Sequence, residues 1–201
     1  MDPELIALSQ LKDDQPKQLA ELHHSVMHTL LSDLGLPIVL RYYQVARSDN
    51  SVIGICAQDS SNKIIGWAIG SPHPDRINSA LSSSLLWFAF QMLRIMFTRP
   101  RVLLQLISSV FSSSSETEMK SDAIELTYIG VAANQRGKGL GKDLLNAFVK
   151  ASKEKGYRSV VLSVETENGS AFTLYKNAGF KITKTFSEGR YERHRMELIL
   201  E

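Results

Sequence analysis

One short stretch of the sequence decides the fold: Arg136-Gly137-Lys138-Gly139-Leu140-Gly141. Residues 123–131 before it are largely apolar and predict a strand, while residues 139–155 after it carry apolar side chains at helical spacing. Glycines let the backbone approach a ligand closely, and the N-terminus of a helix attracts anions. The interleaved arginine and lysine add positive charge. The stretch therefore predicts a phosphate-binding turn between a strand and a helix.

The spacing of the glycines excludes two better-known phosphate-binding loops. The dinucleotide fingerprint G-x-G-x-x-G would need its third glycine one residue later than Gly141. The P-loop would need serine or threonine after Gly141-Lys142, where the sequence has Asp143. A phosphate-bearing ligand of another kind is therefore expected.

The rest of the chain alternates strands and helices, which predicts a mixed α/β sheet in a chain of 201 residues. Gly156 and Gly179 come where helices are expected to end. Strands are predicted at 4–11, 51–58, 64–70, 159–164, 180–186 and 193–200, and helices at 15–34, from Pro37 to Val45, and at 168–178.

Residues 75–120 differ from this pattern and predict an inserted helical pair. The segment has apolar residues at helical spacing, Pro100 separates two helical stretches, and residues 112–115 form a serine linker. We expect the pair to cover an acceptor cleft or a dimer contact, with the buried aromatic residues Trp87, Phe88, Phe90 and Phe97.

The apolar run in this insertion is too short to span a membrane, and it contains Gln91 and Arg94. We therefore do not expect a membrane partner. Contact of Arg94, Arg99 and Arg101 with anionic head groups stays open as the alternative.

Composition excludes several classes of protein. The chain has 23 basic and 21 acidic side chains, so no basic face for nucleic acid is indicated. The single cysteine, Cys56, excludes an intrachain disulfide and a zinc ribbon, and we interpret it as a buried structural residue. No metal is expected. A reducing cytoplasmic location fits, and the first residues do not resemble a secretory signal.

Two motifs in order resemble the GNAT superfamily, the acetyltransferases related to histone acetylases. Arg136-x-x-Gly139-x-Gly141 resembles that family's [QR]-x-x-G-x-[GA] motif. A second resemblance follows in Asn168-x-x-Ala171-x-x-Leu174-Tyr175 and then Gly179-Phe180. The match covers roughly the last 80 residues, and two ordered motifs are more specific than one.

The resemblance implies a single GNAT-like domain over residues 1–201, with a mixed, mostly antiparallel twisted sheet and an acetyl-CoA-binding core at 122–187. It implies that the backbone of the strand before the loop binds the pantetheine arm, and that the loop holds the pyrophosphate. Asn168 would orient the far end of acetyl-CoA. By position, the strand residues are Ile129, Gly130 and Val131, and the loop residues are Arg136, Gly137, Lys138, Gly139, Leu140, Gly141 and Lys142.

The resemblance also implies the catalytic groups. Tyr175 would face the sulfur as general acid, with a core tyrosine as the alternative. Glu125 would be the general base, directly or through water, and the alternative is an ordinary exposed strand carboxylate. Glu165 and Glu167 are weaker candidates for the base.

Histidines give weaker signals. His73 follows a strand that should border the acceptor cleft, and His194 lies in the last strand. His24 and His28 are four residues apart on a predicted helix, but two imidazoles without a third ligand are a weak metal signal.

The function expected from these residues is transfer of an acetyl group from acetyl-CoA to an amine of a small-molecule acceptor. The amine attacks directly in a ternary complex. A protein or peptide N-acetyltransferase and a non-catalytic acyl-CoA-binding module are the alternatives. A homodimer stays open, because the insertion is so apolar.

Overall fold

The computed structural model describes residues 3–12, 14–27, 29–81, 85–98, 120–188 and 191–200. Seven strands form one sheet in this part of the chain. The strands are β1 Glu4–Ala7, β2 Ile53–Gln58, β3 Ile64–Ser71, β4 Ala123–Val131, β5 Ser159–Glu165, β6 Lys181–Glu188 and β7 Tyr191–Ile199. The helices are α1 Gln15–Val26, α2 Leu30–Asp33, α3 Leu36–Ser48, α4 Pro74–Leu81, α5 Leu85–Thr98, α6 Leu140–Glu154 and α7 Gly169–Asn177.

The sheet has the strand order β1-β2-β3-β4-β5-β7-β6. The β4–β5 pair is parallel, and the five other pairs are antiparallel. A parallel pair needs a crossover connection, and α6 supplies it between β4 and β5. The expected α/β fold with a mixed, mostly antiparallel sheet is confirmed.

Helix ends follow the signals in the sequence. A proline lies in the first turn of α3, where its missing N–H group is not needed. Asn168 caps α7, because its side chain accepts a hydrogen bond from the N–H group of Ala171 at 3.2 Å. Gly156 and Gly179, which follow α6 and α7, have φ angles of 84° and 93°, which glycine adopts without strain.

Two apolar clusters lie on opposite faces of the sheet. The first joins α1 and α3 to Cys56 of β2 and Trp67 of β3. The second joins α6 and α7 to alternate residues of the same strands, such as Ala57 and Ala68. Because side chains alternate along a strand, the central strand β3 is buried on both faces, and all eight of its residues are buried.

Two predicted elements are shorter than expected. The helix predicted at 15–34 stops at Val26, because Met27 is extended with φ −115° and ψ 130°, and Thr29 then caps the short α2. The strand predicted at 4–11 stops at Ala7, where a 3₁₀ turn over Leu8–Gln10 begins.

The insertion is helical where the structure describes it. Ile77 of α4 and Ile95 of α5 are buried in the first cluster, so both helices pack on the α1–α3 side of the sheet. The expectation that Phe90 and Phe97 are buried is wrong for the single chain, because both are exposed. The side chains of Trp87 and Phe88, the predicted second helical stretch after Pro100 and the serine linker lie outside the described residues.

Within the described ranges, no helix combines the length and apolar character that crossing a membrane requires.

Candidate active site

The two central strands separate along their length. β4 and β5 are paired where Ala123, Ile124 and Glu125 lie beside Ser159, Val160 and Val161. Beyond Glu125, the described strands continue with other partners: β4 follows β3 to Val131, and β5 follows β7 to Glu165. A gap therefore opens in the sheet between the second half of β4 and β5.

A β-bulge in β4 changes which residues face this gap. Ile69 is opposite Tyr128 and Gly70 is opposite Leu126, so Thr127 is an extra residue without a partner in β3. After the bulge, Tyr128 packs against the first cluster, while Ile129 and Val131 pack against the second.

The direction of the backbone N–H groups follows from the same register. Ala132, directly opposite Ile65, donates its N–H group to the Ile65 carbonyl at 2.9 Å. Hydrogen-bonded pairs alternate in an antiparallel ladder, so the N–H group of Gly130 points to β3. Those of Ile129 and Val131 point into the gap. Of the three predicted backbone N–H groups, those of Ile129 and Val131 therefore face the gap, and that of Gly130 pairs within the sheet.

Gly130 has a packing role of its own. A Cβ atom at this position would overlap the ring of Trp67, which is fully buried in the first cluster. The tight approach of β4 to this ring explains the glycine without a ligand.

The glycine-rich loop is open to solvent. Gly137 and Gly139 have φ angles of 76° and 88°, and an added Cβ at either would meet no atom within 4 Å. In the described part of the chain, nothing accepts hydrogen bonds from the consecutive N–H groups of residues 137–141. The first acceptor for the N–H groups of α6 is the carbonyl of Gly139, the residue before the helix, which accepts from the N–H groups of Lys142 and Asp143 at 2.8 and 3.1 Å. Five free N–H groups at a helix N-terminus form an anion-binding arrangement.

Cationic side chains surround these N–H groups. Arg136 donates from Nε to the Val131 carbonyl at 3.4 Å, and Lys138 donates from Nζ to Gln135 at 3.1 Å. Lys142 is exposed in the first turn of α6. The loop therefore offers both directed N–H donors and positively charged side chains to an anion.

Gly141 connects the loop to the gap and to α7. An added Cβ there would lie 3.9 Å from Val131 and 3.8 Å from Leu174. The start of α6, the end of β4 and the middle of α7 thus meet at one point. The two sequence motifs, which are far apart in the chain, are adjacent in space.

The two predicted residues of α7 differ in exposure. Asn168 is exposed. Its side-chain oxygen Oδ1 accepts the capping hydrogen bond of α7, so its side-chain NH₂ group is the part that could contact a ligand. Tyr175 is buried in the second cluster, with its ring 5.8 Å from that of Phe180. Burial raises the pKa of Tyr175 well above its ordinary value, so its hydroxyl is neutral at physiological pH and can donate a hydrogen bond.

Glu125 lies where β4 and β5 separate, and its carboxylate is already bound. Arg195 of β7 donates from its two terminal nitrogens to the two carboxylate oxygens, at 2.7 and 2.9 Å. The same guanidinium donates to the Ser163 hydroxyl at 3.1 Å. Sequence reasoning missed Arg195, because only the β5–β7 register brings it opposite Ser163 and across to β4.

The structure also reveals a buried histidine that the sequence did not single out. His23 of α1 is fully buried, with Nδ1 2.7 Å from the hydroxyl of Tyr43. Its ring stacks on Trp67 at 5.5 Å and meets the edge of Tyr128 at 4.8 Å. Burial, with a smaller contribution from His24, lowers the pKa of His23 to about 4. This aromatic cluster supports β4 on the face opposite α6.

The other predicted residues are either paired with a neighbouring side chain or exposed. Glu165 contacts Arg193 at 3.5 Å, Glu167 is exposed, and His194 Nδ1 lies 2.8 Å from the Thr185 hydroxyl. His73 is exposed before α4, where its N–H group binds the Ser71 hydroxyl. His24 is exposed, and His28 lies outside the described residues.

Cys56 is buried, as expected, and burial raises the pKa of its thiol to about 12. It is therefore a protonated core residue rather than a nucleophile. In the ranges that the structure covers, no group of three or more His, Cys, Asp or Glu side chains is arranged to hold a metal ion.

Comparison with known proteins assigns the family. The family model described as "Acetyltransferase (GNAT) family" matches residues 17–180. The chain belongs to the GNAT family of acetyltransferases. The resemblance that the two motifs indicated is thereby confirmed. The matched residues also cover most of the N-terminal half of the chain.

Curated relatives match over shorter segments. The mycothiol acetyltransferase of Corynebacterium aurimucosum is 40% identical over 60 residues, which are 30% of this chain and 20% of that protein. N-acetyltransferase 8B of Rattus norvegicus is 33% identical over 60 residues, which are 30% of this chain and 27% of that protein. The matched segment thus spans only a fifth to just over a quarter of the length of these two relatives.

Solved structures share the fold of this GNAT family member. A protein of Salmonella typhimurium, described as an acetyltransferase with its cofactor acetyl-CoA, has a TM-score of 0.63 at 14% identity, with 100% of this chain and 95% of that chain covered. The ribosomal-protein-S18-alanine N-acetyltransferase of Escherichia coli has a TM-score of 0.61 at 13% identity, with 98% and 93% covered.

Proposed function

We propose that this protein is an N-acetyltransferase that uses acetyl-CoA to acetylate an amine of a small-molecule acceptor. The amine attacks directly, with both substrates bound at once. One observation carries the proposal: the row of free N–H groups from Gly137 to Gly141 lies at the start of α6, beside the gap between β4 and β5.

The described residues fit coenzyme A as a ligand. The five N–H groups, with Arg136, Lys138 and Lys142, would hold its pyrophosphate, because such groups favour a compact anion. The free NH₂ group of Asn168 would contact the same molecule beside α7. We propose residues 122–187 as the part of the domain that binds it. When bound, acetyl-CoA supplies the acetyl group as an activated thioester.

We propose that the reaction uses two backbone N–H groups that face the gap and one buried hydroxyl. The N–H group of Val131 would stabilise negative charge that develops on the carbonyl oxygen, and that of Ile129 would hold the pantetheine arm. The neutral hydroxyl of Tyr175 would donate a hydrogen bond to the leaving sulfur. Two backbone N–H groups and one side-chain hydroxyl would thus contribute to the reaction.

Proton removal from the acceptor is the second requirement, because a primary amine with a pKa near about 10 is mostly protonated at neutral pH. Glu125 is our candidate base. Since Arg195 holds both of its oxygens, we propose that Glu125 accepts the proton through water while the guanidinium fixes its orientation. Arg195 is then a positioning residue.

A small acceptor is supported by two features. α4 and α5 pack on the α1–α3 side of the sheet, so they add bulk on the face opposite α6, from which an acceptor would enter. A relative that matches 60 residues of this chain is named mycothiol acetyltransferase, after mycothiol.

Binding of the donor can be tested by thermal unfolding. Acetyl-CoA at a concentration of roughly 100 times its Kd should stabilise the folded chain by about 2.7 kcal/mol and raise its Tm. Gly139→Glu should abolish this shift, because it places a carboxylate among the free N–H groups. Gly156→Glu is the matched control: it adds the same charge at a similar φ angle, 84°, at the other end of α6.

The control should keep the shift that Gly139→Glu loses. If acetyl-CoA does not raise the Tm of the unmodified chain, the donor assignment is wrong. If both variants keep the shift, the glycine-rich loop does not hold the donor.

The reaction can be tested with a set of amines and a free-thiol assay. Release of coenzyme A that depends on a small amine is the expected result. Donor binding without turnover on any amine would instead identify a non-catalytic binding module. Turnover limited to peptide N-termini or lysine side chains would identify a protein acetyltransferase.

A further inference from the structure

The bulge in β4 places a carboxylate and a phenol on the same face of the sheet. Ile124 and Leu126 belong to the second cluster, so Glu125 between them points to the opposite face. Tyr128 packs against the first cluster, which lies on that opposite face. In a regular strand, residues three positions apart point to different faces. The extra residue, Thr127, therefore puts Glu125 and Tyr128 together on the α1–α3 side.

Tyr128 is the accessible end of an aromatic cluster. Its ring centroid lies 4.8 Å from that of His23 and 5.6 Å from that of Tyr42. His23, Tyr42, Tyr43 and Trp67 are all buried, whereas Tyr128 is half-buried. A ligand on this face can therefore contact the cluster at Tyr128.

The hydroxyl of Tyr42 connects this cluster to Glu125. Burial raises the pKa of Tyr42 well above its ordinary value, and Tyr128 and Glu125 raise it further, while a contact with the hydroxyl of Thr127 opposes the rise. The carboxylate and the three hydroxyls thus lie within electrostatic reach of one another. All four groups can accept hydrogen bonds, which suits a ligand that donates them.

Helices cover only part of this face. In the described ranges, the first cluster takes its sheet residues from β1, β2, β3 and β4, and none from β5, β6 or β7. Polar side chains of β5 and β7 on the same face, such as Ser163 and Arg195, are half-buried. β4 therefore forms the border between the part of the face that α1 and α3 cover and the part that they leave open. Glu125 and Tyr128 lie on this border.

The charged groups at the border favour a cationic ligand. Arg195 binds Glu125 through two hydrogen bonds, and Arg193 contacts Glu165 at 3.5 Å. A carboxylate accepts about four hydrogen bonds, so Glu125 can still accept from an ammonium group. The face of a tyrosine ring also attracts a cation. A carboxylate on the ligand would instead meet Glu125 and would compete with the existing ion pairs.

We propose that Tyr128 and Glu125 bind the acceptor as an ammonium ion, and that the acceptor is a primary alkyl amine. The ammonium group contacts the ring of Tyr128 and donates a hydrogen bond to Glu125, directly or through water. This proposal rests on the function proposed above, since it names the acceptor class for the same site. Ile129, the next residue, points its N–H group into the gap, so an amine at Tyr128 lies beside the expected position of the thioester.

Amine binding can be measured without turnover, which separates this proposal from the proposed function. Isothermal titration calorimetry at pH 7, with and without coenzyme A, should show binding of pentylamine. 1-Pentanol, which has the same chain without the charge, should bind roughly tenfold more weakly. Norleucine, which is pentylamine with a carboxylate on the carbon next to nitrogen, should also bind at least roughly tenfold more weakly.

Variants of Tyr128 test the contribution of the ring. Tyr128→Leu should weaken pentylamine binding and raise the KM for this amine by roughly tenfold, because leucine is apolar but has no aromatic face. Tyr128→Phe should retain most of the affinity, since its ring also attracts a cation. Tyr157→Leu, at another half-buried tyrosine, is the matched control and should bind pentylamine like the unmodified chain. All three variants should keep the rise in Tm with acetyl-CoA.

Three outcomes would overturn the proposal. The first is that pentylamine binds no more tightly than 1-pentanol, a comparison that needs no variant. The second is that norleucine binds as tightly as pentylamine. The third is that a folded Tyr128→Leu binds pentylamine like the unmodified chain, or loses no more affinity than Tyr157→Leu. If no amine releases coenzyme A but pentylamine binding requires Tyr128, the proposed function is wrong and the ammonium site stands.

Discussion

Tyr175 shows how burial prepares a single side chain for its proposed role. The second cluster surrounds its ring, and burial raises the pKa of its hydroxyl far above neutrality. A phenol in this state holds its proton and acts as a hydrogen-bond donor. The residue is therefore suited to stabilise a departing sulfur at any physiological pH.

We expect Tyr175→Phe to lower kcat by roughly 100-fold or more while the affinity for acetyl-CoA stays nearly constant. Phenylalanine keeps the packing against Phe180 and removes the hydroxyl alone. Steady-state kinetics and a thermal-shift titration would measure the two effects. Tyr157→Phe, at a half-buried tyrosine after α6, is the control and should not change kcat. Unchanged turnover in Tyr175→Phe would exclude a catalytic hydroxyl.

Individual residues also mark the limit of what the sequence predicts. The loop glycines, Asn168 and Tyr175 follow a local motif, and local motifs are visible in a single sequence. The roles of Arg195 and His23 cannot be predicted in this way, because their partners are distant in the sequence. Arg195 contacts Glu125 and Ser163. His23 contacts Tyr43 and Trp67. No pattern in one sequence states which strand lies beside which.

Among the elements, strands and helices with clear end signals were predicted closely. β4 is observed at the predicted residues, Ala123–Val131, and α6 and α7 differ from prediction by one residue at each end. The first helix was predicted too long, because Met27 and Thr29 are compatible with a helix and no glycine or proline marks the break. The bulge at Thr127 was also missed, since it depends on the partner strand.

The Glu125–Arg195 pair connects elements that the sheet joins weakly. β4 and β5 share three residue pairs, and the guanidinium reaches from β7 past Ser163 of β5 to β4. The exposed fractions of the two side chains are 24% for Glu125 and 19% for Arg195, so water screens them only in part. The ion pair is therefore positioned to hold the two halves of the sheet together below the gap.

A double-mutant cycle can measure this connection. Glu125→Gln and Arg195→Met should each destabilise the fold by about 1–3 kcal/mol, with a coupling energy of about 1–2 kcal/mol in urea unfolding. The exposed pair Lys17–Glu21, whose atoms lie 3.9 Å apart, should couple by about 0.5 kcal/mol or less. Equal coupling energies for the two pairs would mean that the Glu125–Arg195 pair stabilises the sheet no more than an exposed ion pair does.

At the scale of the whole molecule, His23 should make folding sensitive to acid. Its pKa is about 4 in the folded chain and about 6.5 when unfolded, so the unfolded chain binds more protons between these values. The free energy of unfolding should therefore be unaffected by this group above pH 6.5. It should fall by up to about 3 kcal/mol as the pH decreases to 4.

Urea unfolding of the unmodified chain and of His23→Gln, from pH 7.5 to 4, would isolate the contribution of this histidine. The variant should lose stability less steeply over this range, because glutamine does not titrate. The exposed His24 offers the comparison variant His24→Gln, which should keep most of the slope, because burial contributes more than His24 to the lowered pKa of His23. Identical slopes in His23→Gln and the unmodified chain would show that the buried imidazole does not cause the acid sensitivity.

The bulge in β4 has a consequence for changes in chain length. Thr127 is the one residue between Leu126 and Tyr128 that β3 leaves unpaired, so β4 holds one residue more here than regular pairing needs. Deleting Thr127 would make Leu126 and Tyr128 consecutive residues opposite Gly70 and Ile69, which is regular antiparallel pairing. The segment from Tyr128 to Val131 would keep its register, and Gly130 would stay beside Trp67. An inserted residue would instead have to enlarge the bulge or move Gly130 away from the ring of Trp67.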